Sequence, residues 1–75
     1  MSHRYIMTIH PPELDERPPW RRVEVEGVFV GKAYRLDDVA EFARLAGLHG
    51  IDLANDPRIR WEGGGPGYWG VDTGA

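Results

Sequence analysis

The segment from Leu36 to Leu48 has the clearest periodicity in the sequence, and it limits the fold to one amphipathic helix packed on another layer. Apolar side chains recur there at helical spacing, which predicts an apolar stripe along one side of a helix. Gly47 fits the left-handed position after the last turn, and Leu48 fits the hydrophobic contact of a Schellman end. The stripe consists of Leu36, Val39, Phe42, Ala43 and Ala46.

The beginning of this helix can be placed in two ways. Asp38 and Glu41 are three residues apart, as the two members of a capping box are. Alternatively, the helix begins earlier, with Leu36 already inside it and no good capping residue before it. In both cases Asp37 and Asp38 lie in the first turn, where carboxylates interact favourably with the positive end of the helix dipole.

Two β-branched runs in WRRVEVEGVFVGKAY predict a β-hairpin before the helix. If residues 26 and 27 form a two-residue turn, two pairs of valines face each other across the strands, and all four share one sheet face. A longer turn is the alternative, because Glu-Gly is a weaker hairpin signal than Asn-Gly. The valine pairs are Val25 with Val28 and Val23 with Val30, while Glu24, Glu26 and Phe29 lie on the other face.

The segment RIRWE predicts a third strand, with Ile59 and Trp61 facing inward and Arg58 and Arg60 facing outward. YWGV is a candidate fourth strand. We therefore predict an α+β fold, a small ββαβ domain with a mainly antiparallel sheet of three or four strands and one helix packed on one face. The domain covers residues 20–71. Residues 1–19 form a Pro-rich, partly ordered arm, whose YIMTI patch can dock as an edge strand, and residues 72–75 fray.

Composition narrows the classes of function. The chain has 75 residues, no Cys and a net charge of −3. Without a disulfide or a thiolate-bound metal, a core this small depends on idealised packing, on a homodimer or on a bound partner. No basic arm favours phosphate binding, so nucleic acid is disfavoured as a partner. No stretch is apolar enough to span a bilayer, so we expect a cytoplasmic protein without a membrane partner.

Few side chains in the sequence are suited to catalysis. Ser2 is the only serine, Thr8 and Thr73 lie near the ends, and Lys32 is the only lysine. A nucleophile needs a base held beside it, and we interpret Lys32 as a solvated hairpin residue. The sequence therefore predicts a protein that is not an enzyme and has no catalytic residues.

The sequence predicts neither a metal site nor a cofactor site. The three histidines lack metal-ligand spacing, and Asp52 and Asp56 lack the glycine-punctuated spacing of a calcium loop. EGGGPG lacks the lysine and the following helix of a phosphate loop, and it fails as a dinucleotide-binding turn because neither a helix nor a distal acidic residue follows it. A small metal-dependent enzyme is therefore the least favoured functional hypothesis for this chain.

The segment RWEGGGPGYWG, residues 60 to 70, combines two Trp and one Tyr with five glycines. Trp61 alternates with Ile59 and is predicted to close the core. Tyr68 and Trp69 are adjacent, so on a strand they point to opposite faces and one of them is exposed. An exposed aromatic side chain beside a glycine hinge suits a protein contact.

We therefore predict an accessory or regulatory protein that binds another protein through this C-terminal aromatic and glycine segment. Trp69 and Tyr68 anchor the contact, and Arg58 and Arg60 lie at its rim. These two arginines are otherwise a solvated strand face that discourages aggregation. Free sheet edges also offer strand addition to a partner or to a second copy. The Arg–aromatic patch extends, in this interpretation, to Arg21, Arg22 and Arg44.

The segment YRLDDVAEFARLAGL resembles the first helix and the turn of a helix-turn-helix domain, with Ala-Gly-Leu at the bend. The resemblance covers about fifteen residues and implies a small DNA-binding regulator as the alternative function. A recognition helix has to follow in such a domain. The next segment, HGIDLANDP, contains Gly50 and Pro57 and few helix-forming residues.

Overall fold

The computed structural model describes residues 5–70, which form four β-strands and one α-helix. The strands form one mixed sheet in the order β3-β2-β1-β4, in which β2 is antiparallel to both of its neighbours and β4 is parallel to β1. The predicted α+β class, with one helix on one face of a mainly antiparallel sheet, is confirmed. The elements are β1 (Met7–Glu13), β2 (Trp20–Val25), β3 (Val28–Ala33), α1 (Leu36–Leu45) and β4 (Ile59–Trp61).

β1 is an inner strand of the sheet, although the sequence suggested that this region docks at an edge. Met7 and Ile9 are fully buried, and they pair with Ile59 and Trp61 of β4. The two prolines that follow are tolerated because β4 pairs with β1 only as far as Ile9, which leaves that side of β1 without a ladder partner at the prolines. A register shift between Ile9 and Pro12 accommodates them on the β2 side.

The predicted two-residue turn connects β2 and β3. Glu26 and Gly27 have φ angles of 51° and 84°, so both adopt the left-handed conformation that the tight hairpin turn with two such residues requires. Val25 pairs with Val28 across this turn, as predicted. The weak Glu-Gly signal was therefore sufficient for the turn, because Gly27 has no side chain to oppose a positive φ.

A bulge changes the register of the hairpin beyond the turn. The predicted pairing of Val23 with Val30 is wrong, because Val23 lies opposite Gly31. The four valines consequently do not share one buried face. Val23 is fully buried, whereas Val28 and Val30 are exposed to solvent.

α1 begins at Leu36 with Arg35 as its N-cap, so the earlier of the two predicted starts is correct. The side chain of Arg35 makes no capping hydrogen bond. Asp38 accepts a hydrogen bond from the backbone N–H of Tyr34 at 2.8 Å, which ties the chain to the first turn from inside the helix. The capping box of Asp38 with Glu41 is therefore wrong, since Asp38 lies within the helix and not at its cap.

α1 ends in the predicted Schellman motif. Gly47 has a φ of 87°, and its N–H donates to the carbonyl of Arg44 at 3.0 Å. The N–H of Leu48 donates to the carbonyl of Ala43 at 2.9 Å, and the Leu48 side chain packs against the core. The left-handed glycine thus turns the chain back onto the domain.

The core lies between α1 and one face of the sheet. The helix packs closely on β3 at Gly31, where an added Cβ would lie 2.5 Å from Cζ of Phe42. Partly buried side chains from the connection to β4 and from the C-terminal segment complete this layer beside the helix. The buried apolar residues are Met7, Ile9, Val23, Ala33, Val39, Ala43 and Ile59.

The C-terminal part of the chain differs from the prediction. Residues 68–70 of the candidate strand YWGV lie in irregular backbone and form no strand, and Val71 lies outside the described residues. β1 supplies the fourth strand. The predicted fraying of residues 72–75 lies outside the described residues. Within residues 5–70, no helix combines the length and hydrophobicity needed to cross a membrane.

Candidate functional site

Arg21 is a fully buried cation at the centre of the C-terminal segment, although the sequence placed it in a surface patch. It shares a face of β2 with Val23, which is the face that packs on the core. Its guanidinium donates five hydrogen bonds, and every acceptor is a backbone carbonyl oxygen. Nε donates to His10 at 2.7 Å, Nη1 to Gly65 at 3.1 Å and Tyr68 at 2.7 Å, and Nη2 to Glu62 at 2.6 Å and Gly64 at 2.8 Å.

Two tryptophan rings complete the surroundings of Arg21. Its Cζ atom lies 5.2 Å from the ring centroid of Trp61 and 5.5 Å from that of Trp69. The two rings meet edge to face, with centroids 6.2 Å apart. Each indole N–H is also satisfied, because Trp61 donates to the carbonyl of Leu53 at 2.9 Å and Trp69 to that of Pro66 at 2.7 Å.

The glycines allow the carbonyl groups to converge on the guanidinium. Gly63 and Gly64 have φ angles of 73° and 120°, which residues other than glycine rarely adopt. A Cβ on Gly63 would lie 2.6 Å from Cβ of Pro11, and one on Gly64 would lie 2.6 Å from Cδ2 of Tyr68. The aromatic and glycine segment is therefore a binding site for an internal cation.

Burial alters the acid–base properties of Arg21 without removing its charge. Desolvation lowers the pKa of the guanidinium, and the Coulombic interaction with Tyr68 raises it again in part. An arginine keeps its proton under all ordinary conditions, so the cation has to be compensated by the carbonyl dipoles around it. Arg21 is thus a structural group that fastens the C-terminal segment to β2.

The structure brings two of the four predicted partner-binding residues together. Tyr68 and Trp69 both lie at the Arg21 site, where the Trp69 ring is partly buried and the Tyr68 side chain is 40% exposed. Arg60 alternates with Trp61 along β4 and therefore lies on the opposite face of the sheet from the Trp61–Trp69 contact. Tyr68 is the exposed aromatic residue of the segment.

Arg58, the fourth predicted residue, is engaged in the turn that precedes β4. Its Nε and Nη2 atoms donate to the two carboxylate oxygens of Asp56, at 2.9 and 2.7 Å. The backbone N–H of Arg58 also donates to Asp56 Oδ1 at 2.9 Å. These bonds lower the pKa of Asp56 to about 2 and raise the pKa of Arg58. The Asn-Asp-Pro sequence thus lies in a turn that the Asp56–Arg58 ion pair closes.

The sheet face opposite α1 is not covered by another element within residues 5–70, and we refer to it as the open face. Alternation along the strands and the cross-strand pairs define its members. It carries both charged and aromatic side chains. Its members are Thr8, His10 and Glu13 from β1, Trp20, Arg22 and Glu24 from β2, Phe29 and Lys32 from β3, and Arg60 from β4.

Three cations of the open face stack on aromatic rings. Cζ of Arg22 lies 4.9 Å from the ring centroid of Phe29, and Nζ of Lys32 lies 4.6 Å from that of Trp20. At the far side of the sheet, Cζ of Arg60 lies 5.3 Å from the ring centroid of Tyr5. The open face therefore presents cations that are held in place by apolar rings.

His10 lies between two carboxylates in the middle of the open face. Its Nε2 is 3.2 Å from Glu24 Oε1, and its Nδ1 is 3.3 Å from Glu62 Oε1. The Nε2 atom is buried, and its contact with Glu24 lacks the alignment of a hydrogen bond, so the attraction is an ion pair when the ring is protonated. Within residues 5–70, no group of three or more His, Cys, Asp or Glu residues is arranged to hold a metal ion.

Three consecutive apolar residues of the edge strand β3 are exposed. Val28 is 63% exposed, Phe29 48% and Val30 40%. Phe29 lies on the open face, while Val30 borders a shallow apolar cavity of about 360 Å³ on the helix side. Leu45, at the end of α1, extends the apolar surface and is 67% exposed. The other residues that line this cavity are Val25, Phe42 and Ala46.

Sequence reasoning missed this surface because the bulge in β3 cannot be read from the order of the residues.

Comparisons of the chain with models of protein families, with curated proteins and with solved structures give no match. The helix-turn-helix resemblance ends with α1, because residues 46–58, which follow it, contain no helix.

Proposed function

We propose that this chain is a non-enzymatic protein-binding domain whose partner docks on β3 and the adjoining part of the open face. The observation that carries the proposal is the exposed run Val28, Phe29 and Val30. Three consecutive apolar residues in contact with water are unfavourable for a free domain, and such surfaces on folded proteins are typical of interaction sites.

The surroundings of the run suit a protein partner better than a small molecule. The apolar cavity beside Val30 is shallow and open to solvent, whereas small-molecule sites bury most of their ligand. Phe29 lies beside Arg22, and aromatic residues and arginine are enriched in protein interfaces. β3 is also a sheet edge, where an extended partner segment can add backbone hydrogen bonds.

β3 also has features that oppose indiscriminate pairing between edges. Its bulge interrupts the regular spacing of outward backbone groups, and Lys32 places a charge near its end. A specific partner can overcome these features through side-chain contacts with Phe29 and the cavity, whereas an arbitrary edge strand cannot. This combination favours a selective docking surface.

The sequence-based proposal of a contact through the C-terminal aromatic segment predicts a different surface. Trp69 holds Arg21, so Tyr68 is the residue of that segment with the exposed aromatic side chain. Arg60 belongs to the open face, but its guanidinium is 2.7 Å from the Glu62 carboxylate. The β3 surface is the better candidate because its apolar side chains have no comparable structural task.

Site-specific photo-crosslinking separates these surfaces. A benzoylphenylalanine side chain is introduced in turn at position 29, at position 68 and at position 41, which lies exposed on α1 and serves as the control. The chain is expressed in its native cells and irradiated, and the crosslinked products are identified by mass spectrometry. We expect one defined partner to crosslink from position 29 and not from position 41. Crosslinks from position 68 alone would overturn the β3 surface in favour of the C-terminal segment.

A second variant tests whether the apolar contact itself matters. Phe29→Ser removes the exposed ring from an already exposed position, so the folded domain should persist while the partner is lost. The measurements are the thermal midpoint and co-purification of the partner identified by crosslinking. If the partner binds Phe29→Ser as well as the wild type, the β3 surface is not the docking site. If the crosslinked partner is a second copy of the chain, sedimentation will show a dimer that Phe29→Ser dissociates.

A further inference from the structure

Two like charges face each other directly on the open face. Arg22 of β2 and Lys32 of β3 are cross-strand partners in the antiparallel ladder, so their side chains project side by side from the same face. Like charges in this position destabilise a sheet. Among the described residues, neither side chain lies within ion-pair distance of a carboxylate, in contrast to Arg44, Arg58 and Arg60, which are all paired.

Aromatic rings hold this cation pair in position. The guanidinium of Arg22 lies over Phe29, and the ammonium of Lys32 lies over Trp20, in the contacts described above. A flexible side chain that is already restrained loses less conformational entropy when it binds an anion. The pair is therefore a pre-organised positive site that the fold maintains at a cost to its own stability.

We propose that Arg22 and Lys32 bind a carboxylate in an acidic, extended segment of the partner protein. This inference rests on the proposed docking at β3, because Phe29 belongs both to the cation pair and to the exposed apolar run. The guanidinium fork can bind both carboxylate oxygens, and the ammonium adds a second charge. Apolar residues next to the acidic one then contact Phe29 and Val28.

The charges around the pair favour a peptide over a nucleic acid. Glu24 follows Arg22 by two residues on the same face, and Glu13 is the cross-strand partner of Trp20. The site thus has positive charge at one point and carboxylates on two sides. A nucleic-acid strand carries a phosphate at every nucleotide and would meet these carboxylates, whereas a peptide can place one acidic residue between neutral ones.

Intrinsic tryptophan fluorescence and NMR titration, in which the Trp20 signals can be followed individually, provide the test with three short synthetic probes. The first peptide alternates aspartate with leucine, the second replaces each aspartate by asparagine, and the third probe is oligothymidylate. We expect the aspartate peptide to bind the wild-type chain about tenfold more tightly than the asparagine peptide, with shifts centred on residues 20, 22, 29 and 32. Added salt should weaken the binding of the aspartate peptide.

Matched variants locate the contact. Arg22→Gln and Lys32→Gln should each reduce the affinity for the aspartate peptide several-fold, while Arg44→Gln removes the same charge from the exposed side of α1 and should leave the affinity unchanged. Lys32→Glu should abolish the preference for the aspartate peptide over the asparagine peptide. Its thermal midpoint should stay within about 3 °C of the wild type, because the new ion pair with Arg22 offsets the lost contact with Trp20.

The outcomes separate this inference from the proposal on which it rests. Equal binding of the aspartate and asparagine peptides, abolished by Phe29→Ser, would overturn the carboxylate site and leave the apolar docking surface intact. Absence of binding by either peptide, together with no crosslinks from position 29, would overturn both. Tighter binding of oligothymidylate than of the aspartate peptide would overturn the peptide assignment in favour of a phosphate ligand.

Discussion

Nη1 of Arg21 donates a hydrogen bond to the carbonyl oxygen of Tyr68 at 2.7 Å, which joins two residues that are 47 positions apart in the chain. The same guanidinium binds three further carbonyls of the segment and the carbonyl of His10 in β1. A single side chain thus connects an inner strand, the strand beside it and the C-terminal segment. In a chain without disulfides, these hydrogen bonds join distant segments as a covalent cross-link would.

Replacing Arg21 by lysine tests this role. An ammonium group donates from one point and cannot reach five carbonyls, so we expect Arg21→Lys to lower the free energy of unfolding by about 2–4 kcal/mol. Arg35→Lys, at an exposed position before α1, is the control and should change it by less than about 0.5 kcal/mol. Urea denaturation measures both. Equal urea midpoints for the two variants would show that the hydrogen bonds from Arg21 to the backbone carbonyls contribute little to the stability.

Gly47 should be intolerant of a side chain for conformational reasons alone. Its φ of 87° opposes any Cβ, yet no atom lies within 4 Å of the site where one would be added. We expect Gly47→Ala to cost about 1 kcal/mol, measured by urea denaturation. Gly65→Ala, where a Cβ also meets open space and the φ is not positive, is the matched control and should be close to neutral.

Gly31 should be intolerant for steric reasons. Gly31→Ala places a Cβ 2.5 Å from the Phe42 ring, so α1 or the ring has to move, at a cost of about 1–3 kcal/mol. Phe42→Leu shortens the opposing side chain and should recover part of that loss in the double variant. The measurement is a double-mutant cycle from urea midpoints. Strictly additive effects would contradict a contact between these two residues.

Asp56 should make the stability depend on pH in the acidic range. Its pKa is lowered to about 2 from the usual 3.8, so its contribution is complete above pH 3.8 and is lost as the pH falls through 2. We expect Asp56→Asn to be less stable than the wild type at neutral pH, and the difference in urea midpoint to shrink between about pH 4 and 2. In an Arg58→Gln background the difference should be smaller, because the hydrogen bond from Arg58 is the largest cause of the lowered pKa.

Local signals in the sequence predicted the local structure well. The helix from Leu36, its Schellman end at Gly47 and the turn that pairs Val25 with Val28 all depend on residues close together in the chain. Glycine at a left-handed position and apolar side chains at helical spacing act directly on the backbone near them. These are the features that a single sequence can reveal.

The features that the sequence did not reveal depend on distant partners. The bulge opposite Val23 and the place of β1 between β2 and β4 are set by packing across the sheet. The burial of Arg21 was within reach, since alternation places it on the same face as Val23. Charged side chains are rarely buried, so the sequence favoured a surface position for Arg21. The carbonyl groups that compensate its charge come mainly from residues 62 to 68, which are distant in the chain. The candidate site was therefore only partly predicted, through Arg60 on the open face and through Tyr68 and Trp69 at the Arg21 site.

The parallel pairing of β1 with β4 has a consequence for biosynthesis. The ribosome releases the first inner strand long before Ile59 and Trp61, which complete its far side. Until then Met7 and Ile9 lack that cover, and the guanidinium of Arg21 lacks four of its five acceptors. The nascent chain therefore cannot complete this structure until the glycine-rich segment has left the ribosome.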